Sequence, residues 1–140
     1  MLPKLSGSYP REFSNILKKI PNNYKFNQND LDMLYKAYTF GDKAHKGQKR
    51  SSGEKYFIHC IEVSLKLIEW DMDINTVIAG MLHDTIEDTD VTKKILFDQF
   101  GDDVAVLVDR VSKLSGIKYR DSQHKQSVNF MKIYKFLDFT

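Results

Sequence analysis

The stretch from Ile74 to Asp88 limits the chain more than any other, because a buried helical stripe runs straight into four ionisable side chains. Ile74, Val77, Ile78, Met81 and Leu82 recur at i, i+3, i+4, i+7 and i+8, the apolar face of an amphipathic helix. His83 and Asp84 follow at once, with Glu87 and Asp88 four residues after each. One further helical turn would put Asp84, Glu87 and Asp88 on one face, with His83 above Glu87. Three carboxylates in one turn repel each other unless a cation sits among them, and a divalent metal is the simplest candidate.

The remaining pattern is helical throughout, and no alternation of period two occurs. Asn27 is placed to cap a helix, with Phe26 and Leu31 as a hydrophobic staple and Asp30 at its positive end. Leu31, Leu34, Tyr35 and Tyr38 form the core face of that helix, which should reach about His45. Phe57 to Trp70 reads as a buried helix. Asp73 caps the next one, which carries His83-Asp84 at or near its end. Thr92 caps another, closed by Gly101 as a left-handed C′ glycine. Val104, Leu107, Val108, Val111 and Leu114 make a stripe on the helix after it, and a last helix is expected over Ser122 to Leu137. Pro3, Gly7, Pro10 and Pro21 punctuate residues 1–25, giving an irregular arm with at most a short helix from Glu12 to Ile20. The expected architecture is an all-α, compact bundle of about six helices over residues 26–140, preceded by that arm.

With 140 residues there is room for one domain with a proper core. A content of 41% hydrophobic and 29% charged residues belongs to a soluble globular chain. No apolar run approaches the ~20 residues a membrane span needs, and no apolar h-region follows Met1. The single cysteine, Cys60, rules out an internal disulfide and suits a reducing, cytoplasmic setting. A net charge of +2 neither demands nor excludes a polyanionic partner, and no DNA partner is expected.

Gly47 to Tyr56 should be a loop or tight hairpin. Lys46, Lys49, Arg50 and Lys55 surround Gly47 and Gly53, and a basic, glycine-punctuated loop can approach phosphates. On residue types alone, a solvated surface loop is the better reading. Likewise His59 is either a core histidine or a ligand, and His83-Asp84 either a helix-end ion pair or part of a metal site.

Four blocks in order narrow these alternatives. They are Ala44-His45-Lys46-Gly47-Gln48-Lys49-Arg50-Ser51-Ser52-Gly53-Glu54-Lys55-Tyr56-Phe57-Ile58-His59, Leu82-His83-Asp84-Thr85-Ile86-Glu87-Asp88-Thr89, Phe100-Gly101-Asp102-Asp103-Val104, and Leu107-Val108-Asp109-Arg110-Val111-Ser112-Lys113-Leu114. Over roughly residues 30–135 the chain resembles the N-terminal HD-type hydrolase domain of the RelA/SpoT family, which degrades the stringent-response alarmone (p)ppGpp. The resemblance implies that His59, His83 and Asp84 hold one divalent metal, usually Mn²⁺. It also implies that Glu87 and Asp88 activate and orient water, and that Lys49, Arg50, Ser51 and Ser52 hold the guanine nucleotide. Arg50 would stack on a base, which lysine does less well. The implied reaction removes the 3′-pyrophosphate, giving GDP or GTP and pyrophosphate, with no room for an alarmone synthetase domain.

The chain departs from the pattern at Cys60, where the family commonly has proline, and at its end. The family's Leu-Ala-Asp-Arg-Leu-His-Asn-Met segment, whose aspartate completes the metal site, has no match, and Asp138 lacks that context. The domain is therefore expected to be C-terminally incomplete. Val128, Phe130, Met131, Ile133, Tyr134, Phe136, Leu137 and Phe139 leave no polar face, so either a second copy or a partner chain covers them or part of the usual domain is missing. Two alternatives stay open: a catalytically silent remnant that binds a nucleotide or partner, and an HD phosphohydrolase acting on another nucleotide. His45 is given no metal role, and His124 is read as a surface residue.

Overall fold

Side-chain capping fixes the start of two helices of this computed structural model, whereas Asp73, at the start of another, makes no side-chain cap hydrogen bond; the structure describes residues 9–113. Asn27 accepts a hydrogen bond from the Asp30 backbone N–H at 2.8 Å, and Asp30 returns one from the Asn27 N–H at 3.1 Å. This reciprocal box starts α2, Gln28–Ala44, after the shorter α1, Arg11–Lys18. The helix α3 covers Phe57–Glu69, and α4 covers Ile74–Met81. Thr92 accepts from the Ile95 N–H at 3.2 Å and opens α6, Lys93–Phe100, after the single turn α5, Thr85–Asp88. Gly101 ends α6 with φ of 93° but an extended ψ, so the chain swings directly into α7, Asp102–Lys113. The fold is all-α, and its one β feature among the described residues is an isolated bridge between Lys49 and Lys55.

The centre of the bundle is α4, where every residue from Thr76 to Met81 is buried. It packs against α2, α3 and α7. Close approach depends on absent side chains. A Cβ at Gly80 would overlap Leu67 on α3, and one at Gly41 on α2 would overlap the Phe57 ring. Ser64 ties α3 to α4 by donating to the Val77 carbonyl at 2.9 Å.

Proline punctuation favoured an irregular arm over residues 1–25. Within its described part, Phe13, Ile16, Ile20 and Tyr24 belong to the same core as α4. Phe13 is fully buried among the Tyr9, Tyr35 and Tyr38 rings, with centroids 4.8–5.3 Å away. Tyr24 donates its hydroxyl to the Met72 carbonyl at 2.7 Å. The expected helix over Ser122 to Leu137 lies outside the described residues. No helix among those described is long and apolar enough to cross a membrane.

Candidate metal centre

The helix bearing the apolar stripe does not continue through the acidic cluster. It stops at Met81, Leu82 to Asp84 form a turn, and Thr85 starts α5. Side chains cause the stop by taking carbonyls that a continuing helix would use. His83 Nδ1 lies 2.6 Å from the Gly80 carbonyl, the acceptor that an unbroken helix would offer to the Asp84 N–H. Thr85 takes the Leu82 carbonyl with its hydroxyl at 2.7 Å and its N–H at 3.0 Å. The acidic cluster therefore does not continue α4: Asp84 stands at the start of α5, with Glu87 and Asp88 in its single turn. Asp84 turns inward at 2% exposure, Glu87 is half-buried and Asp88 is exposed. Burying one carboxylate and leaving the others near water relieves the repulsion that a continuous helix would impose.

The inward turn meets the first turn of α3. Single ligand atoms of His59, His83 and Asp84 all lie within 4.8 Å of one another, with His83 and Asp84 buried and His59 half-buried. The His59 and His83 rings are 5.7 Å apart at a steep 67° angle. A carbonyl only accepts, so a neutral His83 carries its proton on Nδ1 and leaves the Nε2 lone pair for a cation. That Nε2 lies 3.0 Å from Asp84 Oδ2. Adjacent ligands of a six-coordinate ion with bonds of ~2.1 Å are separated by ~3 Å, so the pair is spaced for one cation. Two imidazoles and a carboxylate are a donor set that suits a divalent first-row metal.

Electrostatics favour the ligating form of the carboxylate. Burial alone raises the Asp84 pKa, but when no metal is bound and the imidazoles are protonated, the charge and hydrogen bond of His83, the Tyr56 hydroxyl and the charge of His59 outweigh it. They hold Asp84 below the ordinary carboxylate range. Cys60, fully buried one residue beyond His59, behaves oppositely: burial pushes its thiol well up, helped by the charges of Asp84 and Asp88.

The other sequence-derived candidates lie around this cluster. Asp88 and Glu87 are one turn further along α5, and the Asp88 N–H returns to the Asp84 carbonyl at 3.0 Å. Both lie outside the set of mutually close ligand atoms. Lys49 to Lys55 forms a tight hairpin: Arg50 N–H donates to the Glu54 carbonyl and Gly53 N–H to the Arg50 carbonyl, each at 2.8 Å. Gly47 and Gly53 take φ of 85° and 88°, which other residues adopt only with strain. Lys49, Ser51 and Ser52 are exposed, while Arg50 is half-buried and faces Glu54 at 3.5 Å and Glu62 at 4.0 Å.

Three participants escaped the sequence reading. Tyr56 donates its hydroxyl to Asp84 Oδ2 through a short hydrogen bond. Its three-residue spacing from His59, one helical turn, was the available signal. The Gly80 carbonyl left no sequence signal. Gln48 receives His45 Nδ1–H on its side-chain oxygen at 2.9 Å and donates its amide to the Asp88 carbonyl at 2.7 Å, pinning the hairpin to α5. His45 is thus a buried structural histidine.

Comparison with known proteins reaches the same region. The model of the HD domain matches residues 37–137. The chain belongs to the HD-domain family. It is similar to the guanosine-3′,5′-bis(diphosphate) 3′-pyrophosphohydrolase of Vibrio cholerae, with 44% identity over 117 residues, 84% of this chain and 16% of that one. It is 42% identical over 106 residues to the bifunctional (p)ppGpp synthase/hydrolase SpoT of Escherichia coli K12, covering 76% of this chain and 15% of the relative. A GTP pyrophosphokinase of Myxococcus xanthus is 46% identical over 107 residues, 74% of this chain and 14% of its own. The chain thus spans 14–16% of the length of these relatives.

Proposed function

We propose that this HD domain hydrolyses the 3′-pyrophosphate of (p)ppGpp, releasing pyrophosphate and GDP or GTP. The observation that carries the proposal is the convergence of His59, His83 and Asp84, remote in sequence, within 4.8 Å. These three residues hold the metal, which we take to be Mn²⁺; when bound it supplies a Lewis acid and lowers the pKa of water. Glu87 or Asp88, one turn beyond Asp84, accepts the proton of the attacking water and aims its oxygen at phosphorus. The phosphorus–oxygen bond to the ribose 3′ position breaks, and that oxygen leaves as a hydroxyl once protonated.

Nucleotide recognition falls to the hairpin, through Lys49, Arg50, Ser51 and Ser52. Arg50 can exchange its partners for a ligand at little cost, because exposed pairs such as those with Glu54 and Glu62 contribute only ~0–1 kcal/mol. The names of the Vibrio cholerae and Escherichia coli relatives support the substrate class.

Incubation of the purified chain with ppGpp and Mn²⁺ tests the reading. Pyrophosphate should appear with wild type and not with His59→Ala, and ppGpp should be preferred over nucleoside triphosphates and NADPH. A folded wild type that releases no pyrophosphate at micromolar concentration rejects hydrolysis. A binding role without turnover is the second reading, favoured by one observation: the Myxococcus xanthus relative is named for synthesis, at 46% identity. Tight ppGpp binding without release of pyrophosphate would select it.

A further inference from the structure

We infer that Tyr56 is a positioning residue for the metal centre: its hydroxyl fixes the Asp84 carboxylate so that one oxygen is presented to the ion. This inference rests on the metal reading above and adds a residue to it. Tyr56 immediately precedes α3, and its ring packs against the His45 and His59 rings at 5.4 and 5.7 Å. Its backbone N–H donates to the Gln48 carbonyl at 3.0 Å, so both ends of the residue are held. The hydroxyl then reaches Asp84 across the site from α3, the element that delivers His59.

Both the phenol and His83 Nε2 converge on the same atom, Asp84 Oδ2. A carboxylate oxygen has two lone pairs. With one taken by the phenol, the other stays directed toward the imidazoles. Without that anchor, the carboxylate is free to rotate about its terminal torsion, which is broad and weakly restrained for aspartate. Hydrogen-bonded partners of metal ligands typically contribute 10–100-fold to metal affinity.

The test replaces only the hydroxyl, with Tyr56→Phe. Mn²⁺ binding is measured by isothermal titration, and unfolding midpoints are measured with and without saturating Mn²⁺. The expected result is a Kd weaker by 10–100-fold and a smaller Mn²⁺-induced rise in the midpoint, since that rise follows the ratio of ligand concentration to Kd. A merely structural tyrosine would lower both midpoints alike and leave Kd unchanged. A Kd within twofold of wild type overturns the inference, whatever happens to metal-free stability. If Tyr56→Phe does not fold, the ¹³Cζ resonance of Tyr56 in the wild type is followed during Mg²⁺ addition. It should move as the site fills, and a resonance that stays fixed at saturation overturns the inference. Asp84→Ala separates the two claims. Loss of Mn²⁺ binding in Asp84→Ala but not in Tyr56→Phe sinks the tyrosine role alone, whereas wild-type affinity in Asp84→Ala removes the metal site itself.

Discussion

Two turns flank the candidate centre, and they are held in shape by opposite means. The turn from Leu82 to Asp84 is buried, and its geometry comes from the core and from side chains capturing carbonyls. The hairpin from Gly47 to Tyr56 is mostly exposed, and its geometry comes from two positive-φ glycines, backbone hydrogen bonds and screened ion pairs. The first kind of turn suits ligands that must stand still for an ion. The second suits contacts that must open for a nucleotide and close again. In the buried turn, substitutions should therefore cost stability; in the hairpin they should mostly change binding.

Leu82→Ala gives the largest expected effect. Leu82 is fully buried beside the proposed ligands, and deleting its side chain should cost about 3 kcal/mol, read as a lower urea midpoint. A loss below about 1 kcal/mol would mean that the turn is not anchored by the core. Gly53→Ala is next. Nothing lies within 4 Å of its added Cβ, so the cost is backbone strain at φ +88°, about 1 kcal/mol by the same assay. An unchanged midpoint would show that the hairpin relaxes without penalty.

Tyr24 supplies a buried polar group remote from both turns. Burial, with the charges of Asp73, Asp30 and Asp71, pushes its pKa up to about 12. A folded-state value above the unfolded value of about 10 means that its contribution is complete below pH ~10 and is lost as pH rises toward 12. Wild type should therefore lose about 1 kcal/mol more than Tyr24→Phe between pH ~9 and ~11. Parallel pH profiles for the two proteins would refute this. Arg50→Ala should have the smallest effect on folding, within about 0.5 kcal/mol, since its ion pairs are partly exposed. It should nonetheless weaken ppGpp binding measured by titration. A strongly destabilised Arg50→Ala would erase the contrast between the turns.

Periodic and capping signals carried most of the fold in the sequence. Asn27 and Thr92 cap where their chemistry predicts, and the apolar stripes of α2 and α7 lie on their more buried faces, whereas α4 is buried on every side from Thr76 to Met81. The helix break at Leu82 was not legible, because it depends on His83 and Thr85 side chains competing for specific carbonyls, which periodicity does not register. The core role of Phe13 and Ile16 was masked by nearby prolines, which mark where a helix stops but not what it packs against. At the site, the approach of His59 to His83 was suggested by resemblance, and its geometry needed three dimensions. Tyr56 was missed because a tyrosine between lysine and phenylalanine looks like ordinary core until its hydroxyl is followed to Asp84.

The bond from His83 to the Gly80 carbonyl gives one imidazole two duties, ending α4 and orienting its own nitrogen. Replacing it with another metal-binding residue, such as cysteine or glutamate, would keep a donor atom but lose the brake on the helix. A genetic screen that rewarded only correct folding, blind to any chemistry on nucleotides, would still reject such exchanges at this position.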